Sequence, residues 1–170
     1  MRTLYRILAR AGWGIDDRHA GPGGLPLQVA ALPFELDSRG APRFLLITSR
    51  NSGRWIIPKG WPVKGLTLAE SAAREAYEEA GVRGIIGETE IGRLDSATKR
   101  GRQGTVAPWP ILIFPLPVGT ILTRWPEQAQ RRRQWMTRTE AIEAVSDANL
   151  AHILGAFETR DDPAPGEPER

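Results

Sequence analysis

One stretch of the chain, residues 67–80, places three carboxylates on one side of a predicted helix and constrains the fold more than any other feature. At about 100° per residue, Glu75 and Glu79 lie about 40° apart, and Glu78 lies about 60° from Glu75 on the other side. Carboxylates crowded in this way repel one another unless a cation compensates them. Their hard oxygen atoms are ligands that Mg²⁺ and Mn²⁺ prefer, so the pattern predicts a divalent metal site.

The same helix carries small residues beside its acidic side and has signals at both ends. Alanine fills the neighbouring arc at Ala69, Ala72, Ala73, Ala76 and Ala80. This small, apolar stripe predicts that the helix packs closely on a sheet while the glutamates face a cleft. Thr67 and Glu70 have the spacing of a capping box, and Gly81 is typical of a helix end. Because Glu70 lies about 180° from Glu79 on an ideal helix, its predicted role is capping.

Apolar segments on either side of this helix predict an alternation of strands and helices. Predicted strands cover residues 28–36, 44–49, 55–57, 84–94 and 107–118, and further helices begin near residue 139 and cover 147–157. Residues 37–40 predict a hairpin turn. Pro110, Pro115 and Pro117 favour an edge position or a bulge for the last strand. The order β-β-β-α-β-β-α is that of an α/β fold.

The composition excludes several classes of protein. The chain has 170 residues, enough for one domain with its own core. It contains no cysteine, which excludes disulfides, thiolate metal sites and a cysteine nucleophile. The first residues are too interrupted by arginine for a secretory signal, and no stretch approaches the roughly 20 apolar residues of a membrane span. We therefore expect a cytoplasmic protein with no membrane partner.

Charge is distributed unevenly along the chain. The net charge is +3, but residues 158–170 hold five acids and two bases, so the preceding body carries 21 bases and 15 acids, a net +6. A basic body suits a phosphorylated small molecule or RNA, although solvated surface lysine and arginine account for it equally well. Residues 1–26 form a glycine-rich, charged extension that we expect to be mobile. Residues 159–170 form an acidic, proline-rich tail that we expect to be disordered.

Residues 60–82 resemble the Nudix box, a motif with the pattern G-x5-E-x7-R-E-U-x-E-E-x-G-U, in which U is aliphatic. The matching positions are Gly60, Arg74, Glu75, Ala76 (small for U), Glu78, Glu79, Gly81 and Val82. Leu66 departs from the motif because it stands where the first Glu belongs. Residues 48–58 and 125–136 resemble the segments that flank the box in diphosphoinositol polyphosphate phosphohydrolases, enzymes that also cleave diadenosine polyphosphates.

The resemblance implies the Nudix fold, a mixed β-sheet sandwiched between helices, over residues 27–158. It implies hydrolysis of a diphosphate linkage with the help of Mg²⁺ or Mn²⁺. The implied metal ligands are Glu75, Glu78, Glu79 and the Gly60 carbonyl. The implied catalytic residues are Glu75 and Glu78, either of which could take a proton from water, and Arg74, which orients the glutamates. Leu66 leaves the number of metal ions open.

Polar side chains near the box are candidates for substrate binding, because arginine clamps phosphate with two hydrogen bonds and lysine supplies a point charge. The candidates are Ser49, Arg50, Arg54, Lys59 and Arg133, together with the basic loop at residues 99–102. Each is explained equally well as solvated surface. Trp61 is placed either to stack on an adenine or to flank a polyphosphate. Asp95 and Glu127 are the nearest candidates for an additional acid after the box.

Together these features predict a divalent-metal-dependent hydrolase of a highly charged small molecule, such as a diadenosine or diphosphoinositol polyphosphate. One alternative is an RNA 5′-pyrophosphohydrolase that uses the basic clusters as an RNA track, or an ADP-ribose-type pyrophosphatase. Another is a catalytically weak Nudix-like ligand sensor. Leu66 favours the sensor, and the intact glutamates of the box disfavour it.

Overall fold

A mixed β-sheet with helices on both faces forms the centre of the molecule. The computed structural model describes residues 26–96, 99–101, 104–106 and 108–159, with the backbone alone for 99–101 and 104–106. The predicted N-terminal extension lies outside the described residues except for Pro26. The predicted acidic tail lies outside them except for Thr159.

The described residues form ten strands and three helices. The strands are β1 Gln28–Leu36, β2 Pro42–Thr48, β3 Trp55–Ile56, β4 Lys59–Gly60, β5 Val82–Gly84, β6 Gly92–Asp95, β7 Lys99–Gly101, β8 Gly104–Val106, β9 Pro110–Ile121 and β10 Arg133–Thr137. The helices are α1 Leu68–Glu75, which continues as a π-helical segment Ala76–Ala80, α2 Arg138–Ala144 and α3 Ala148–Ala156. Within this part of the chain, no helix has the length and apolar content to cross a membrane.

Eight of these strands belong to one sheet with the central order β10-β2-β1-β9-β5. Strand β3 pairs with β2, β4 pairs with β1, and β6 pairs with β9. Strands β1 and β9 run parallel and the other pairs run antiparallel, so the sheet is mixed. Strands β7 and β8 form a separate hairpin, which includes part of the predicted basic loop; Arg102 of that loop lies outside the described residues.

Alternate residues of the strands face two separate layers of core. On one face, Leu32 and Phe34 of β1 pack with residues of α2 and α3. On the other face, Val29 and Ala31 pack against the helical segment that begins with α1. The alanines buried there are Ala69, Ala72, Ala76 and Ala80. The predicted sandwich of a mixed sheet between helices is therefore confirmed, as is the close contact of the alanine stripe with the sheet.

The helix that carries the glutamates begins and ends as predicted. The Thr67 hydroxyl accepts the Glu70 N–H at 3.1 Å, and the Glu70 carboxylate accepts the Thr67 N–H at 2.7 Å. Gly81 ends the segment in the left-handed conformation with φ of 64°. The sequence did not predict the π-helical turn after Glu75. Its wider turn changes the angular positions of the later glutamates, and π-helical turns are frequent at functional sites.

The proline-containing strand was predicted to lie at an edge or to contain a bulge. The edge position is wrong, because β9 lies between β1 on one side and β5 and β6 on the other. A shift in register between β9 and β5 at Gly84 agrees with the bulge. The Pro115 carbonyl accepts the N–H of Gly87, in a loop at residues 85–91. The N–H and C=O of one residue point to the same side of a strand. An N–H at position 115 would therefore also face this loop, and proline lacks that N–H. The loop at residues 85–91 therefore interrupts the regular strand pairing with β9. This interruption also explains why the strand predicted at 84–94 is split into β5 and β6.

Arg133 and Trp125 secure the C-terminal end of the helical segment. The Arg133 guanidinium donates to the carbonyls of Ala80 and Gly81 at 2.6 and 3.1 Å, and to that of Leu122 at 2.7 Å. Its Cζ lies 3.9 Å from the centroid of the Trp125 ring. The predicted substrate ligand Arg133 therefore has a different place in the structure, where it caps carbonyls at a helix end.

We predict that Gly81→Ala destabilises the protein more than Gly40→Ala, measured by urea unfolding. Both glycines have positive φ, 64° and 76°, so each alanine suffers backbone strain of about 1–2 kcal/mol. A Cβ on Gly81 would also lie 2.6 Å from the Trp125 ring, whereas nothing lies within 4 Å of a Cβ on Gly40. Overpacking adds roughly 1–3 kcal/mol at Gly81. Equal losses in the two variants would contradict the proposed contact with Trp125.

Candidate active site

A cleft of about 870 Å³ opens beside the acidic side of α1 and the neighbouring loops. The predicted site residues that line it are Ser49, Arg50, Lys59, Gly60, Arg74, Glu75, Glu78 and Glu79. Two predicted substrate ligands do not line it: Arg133 caps the helical segment, and Arg54 lies exposed at the end of the turn that carries Arg50. The structure thus gathers most of the predicted set in one place.

Gly60 lies against the carboxylate of Glu75, and this contact explains why the position holds glycine. Gly60 belongs to β4 and pairs with Val29 of β1, so its backbone is fixed by the sheet. A Cβ at this position would overlap the carboxylate of Glu75. The missing side chain lets the acidic helix approach the strand, and it brings the backbone at Gly60 next to a carboxylate oxygen.

The environment of Glu75 disfavours its charged form. Burial raises the pKa of Glu75 to about 7, with further contributions from the negative charges of Glu79, Glu78 and Glu127. Arg74 acts in the opposite direction but is the smallest of these influences. A carboxyl whose pKa is raised by other carboxylates is a place where an added cation gains binding energy.

Glu79 is buried, and protein donors occupy both of its oxygens. One oxygen forms an ion pair with Arg131, and the other accepts the backbone N–H of Lys59 at 3.1 Å. The side chains of Glu79 and Arg131 are only 7% and 4% exposed. Burial nevertheless raises the pKa of Glu79, against the opposing effect of Arg131.

Glu78 has an arginine partner of its own. The Arg74 Nε donates to the Glu78 carboxylate at 2.7 Å, in an i,i+4 pair that is half-exposed. The predicted role of Arg74 in orienting the glutamates has a direct counterpart in this contact. Leu66 is half-buried outside the cleft, so the residue that replaces the first Glu of the motif contributes nothing to its lining.

In the described part of the chain, no three acidic, histidine or cysteine side chains stand in metal-binding geometry. Two of the carboxylates already have arginine partners, since Arg131 pairs with Glu79 and Arg74 pairs with Glu78. The oxygen ligands themselves suit a divalent cation, because three carboxylates line one cleft beside the backbone of Gly60. The Glu75 carboxylate fills the space that a side chain at position 60 would occupy.

Glu127 belongs to the cleft although it lies 48 residues beyond Glu79 in the chain. Its backbone N–H donates to the Glu78 carbonyl at 3.0 Å, and its carboxylate accepts the Arg131 Nε at 2.6 Å. Asp95, the other candidate for an additional acid, lines a different cavity. The sequence indicated Glu127 only as one of the two acids, with Asp95, that flank a stretch without acids after the box.

A second cavity of about 320 Å³ lies next to the cleft. The residues that line both are Gln28, Ile56 and Lys59. Aliphatic and aromatic side chains form most of its wall, among them Trp55 and Trp109. The Trp109 ring lies 5.5 Å from that of Trp61, which lines the cleft. The two indoles therefore connect the two cavities.

Known proteins are similar to this chain in both sequence and fold. A family model for the NUDIX domain matches residues 26–155. Nudix hydrolase 17, mitochondrial, of Arabidopsis thaliana is 40% identical over 116 residues, which cover 68% of this chain and 61% of that protein. Diphosphoinositol polyphosphate phosphohydrolase 3-alpha of Mus musculus is 29% identical over 133 residues, which cover 77% of this chain and 76% of that protein.

Solved structures agree at the level of the fold. A C. elegans Ap4A hydrolase in a binary complex superposes with a TM-score of 0.56 at 18% identity, covering 77% of this chain and 93% of that one. The chain spans less than two thirds of the length of the Arabidopsis relative named above. Since the NUDIX model covers most of the 170 residues and the box lies in the cleft, the chain belongs to the Nudix family.

Proposed function

We propose that the protein is a divalent-metal-dependent hydrolase that cleaves a diphosphate linkage in a polyphosphorylated small molecule. One observation carries this proposal: a single cleft holds three carboxylates of the box segment together with several cationic side chains. The cations lining it are Arg50, Lys59, Lys64, Arg74 and Arg131. Carboxylates suit Mg²⁺ or Mn²⁺, and the surrounding cations suit the anionic phosphates of a substrate.

The residues that would hold the cation are Glu75, Glu78, Glu79 and the Gly60 carbonyl. A bound divalent ion supplies charge neutralisation for the phosphates and acidifies water. Arg74 keeps the Glu78 carboxylate in position through its 2.7 Å contact. Either Glu75 or Glu78 accepts the proton of the attacking water, and Arg50 and Lys59 hold the phosphates in the cleft.

The second cavity favours a nucleoside as the group attached to the phosphates. Asp95 and Asp147 line it together with one cation, Lys59, and this excess of negative charge opposes a phosphorylated ring. The Trp109 Nε1 is buried and has no hydrogen-bond partner within the described residues. A flat, uncharged heterocycle fits these walls. Among the predicted substrates, this favours a diadenosine polyphosphate over a diphosphoinositol polyphosphate.

A second candidate is a ligand-binding Nudix domain without turnover. Two observations favour it: Leu66 replaces a carboxylate of the box, and arginines already compensate Glu78 and Glu79. The RNA alternative has less support, because Arg131 and Arg133 are engaged inside the fold rather than exposed as a basic track.

A substrate panel distinguishes these candidates. The protein is incubated with Mg²⁺ or Mn²⁺ and diadenosine polyphosphates, ADP-ribose, nucleoside triphosphates, inositol pyrophosphates or triphosphorylated RNA. We expect the diadenosine polyphosphates to be cleaved fastest. Faster cleavage of inositol pyrophosphates would contradict the argument from the second cavity, and binding without any turnover would favour the sensor.

We predict that Glu79→Gln lowers the rate of hydrolysis by about 100-fold or more, because it removes a charged metal ligand. Glu70→Gln is the matched control on the same helix. Glu70 is exposed and caps the helix, and glutamine keeps the acceptor that the Thr67 N–H needs. Steady-state rates are compared after urea unfolding has shown both variants to be folded. Similar losses in the two variants would contradict the assignment of Glu79.

We predict that the stabilisation conferred by Mg²⁺ increases with pH up to about 7. The pKa of Glu75 rises from 4.5 to about 7 on folding, so its contribution to stability is full below pH 4.5 and is lost as pH rises through 7. Mg²⁺ binds the ionised form of Glu75 and thereby offsets the loss of stability. The difference in Tm with and without Mg²⁺ should therefore grow between pH 5 and 7.5. In Glu75→Gln the growth should be smaller, and an unchanged profile would exclude Glu75 as its source.

We predict that Arg50→Ala raises the KM for a highly charged polyphosphate roughly tenfold, through loss of charge-assisted hydrogen bonds. Arg54→Ala removes the same charge four residues away and outside the cleft, so its KM should stay close to that of the wild type. Raised salt should reduce the difference between the two variants. Equal effects would show that the charge acts at long range rather than by contact.

A further inference from the structure

Arg131 binds three separate segments of the chain at once, two of which line the cleft. Its Nη2 pairs with Glu79, its Nε donates to the Glu127 carboxylate at 2.6 Å, and its Nη1 donates to the Thr48 carbonyl at 3.1 Å. The Arg131 side chain is 4% exposed, which is far less than the 54% of Arg50 in the same cleft. Its position is therefore set by the fold and differs from that of a surface cation.

Any cation that binds Glu79 meets two existing donors. The Lys59 N–H belongs to the backbone of β4, which is paired with β1, so it cannot withdraw without disturbing the sheet. Arg131 contacts Glu79 through a side chain, and a side chain can rotate. Arg131 is therefore the donor that is free to give way, and its contacts to Glu127 and Thr48 can keep it at the wall of the cleft.

We propose that Arg131 is an internal counter-cation that competes with the divalent metal for Glu79. It stabilises the metal-free protein by compensating a buried carboxylate, and by the same contact it weakens metal binding. The affinity of the site for metal is then set by an arginine outside the Nudix box as well as by the glutamates within it. This inference rests on the proposed function only in taking a divalent cation as a ligand of Glu79.

The other arginines of the cleft do not compensate a buried carboxylate. Arg74 pairs with Glu78 at a half-exposed position, where solvent already screens the charges. Arg50 reaches Glu127 only at 3.5 Å and makes no contact with Glu79. The Arg131–Glu79 pair differs from these pairs because it is buried. An unpaired buried carboxylate destabilises the protein, so the arginine that pairs with it has a large effect on stability.

The test compares Mn²⁺ binding in the wild type, Arg131→Met and Arg50→Met. Free Mn²⁺ is counted by electron paramagnetic resonance at pH 7.5, and Tm is measured with and without the metal. Arg131→Met should bind Mn²⁺ about tenfold more tightly or better, with a lower Tm in the absence of metal. Arg50→Met loses the same charge from the same cleft, and its affinity should change less than threefold.

The outcomes separate this inference from the proposed function. Unchanged or weaker Mn²⁺ binding by Arg131→Met overturns the competition, while Mn²⁺ binding by the wild type keeps the metal-dependent function standing. If no form of the protein binds Mn²⁺, both fail. If Arg131→Met does not fold, the wild type is titrated with Mg²⁺ and its arginine side chains are followed by ¹⁵N NMR. The guanidinium signals of Arg131 should shift on saturation, and unchanged signals overturn the proposal.

Discussion

The buried contact between Arg131 and Glu79 is the interaction on which the acidic cleft depends. Carboxylates taken out of water favour their neutral form, and burial raises the pKa of both Glu75 and Glu79. Arg131 comes from a part of the chain 52 residues away and also binds the carbonyl of Thr48 at the end of β2. The charged site can therefore form only when the sheet and the following loop have closed around it.

The sheet in turn sets how close the acidic helix comes. Small side chains on the inner face of the helix let it lie flat on β1, and Gly60 lets the Glu75 carboxylate occupy the space of a side chain. The π-helical turn then carries the chain to Gly81, where Arg133 and Trp125 hold its end. Packing on one side of the helix thus determines the position of the charges on the other.

Local features of the fold could be predicted from the sequence, and features that need tertiary contacts could not. The capping box at Thr67 and the helix end at Gly81 depend on neighbouring residues, so spacing alone revealed them. The role of Arg133 depends on carbonyls more than ten residues away, and a basic cluster gives no sign of it. The edge position predicted from Pro115 was wrong for a similar reason. Only the assembled sheet shows that the side of Pro115 without an N–H faces a loop.

The same distinction holds for the function. The residues of the box provide the carboxylates, and the family shares these, so they indicate a class of reaction but no particular substrate. The walls of the second cavity come from β1, β3, the first residue of β4, the end of β6, the start of α3 and the segment around the start of β9, all of which lie outside the box at residues 60–82. Asp95, Trp109 and Asp147 reach that cavity only through the fold. The proposed preference for a nucleoside therefore rests on the shape and charge of the assembled cavity rather than on the residues of the box.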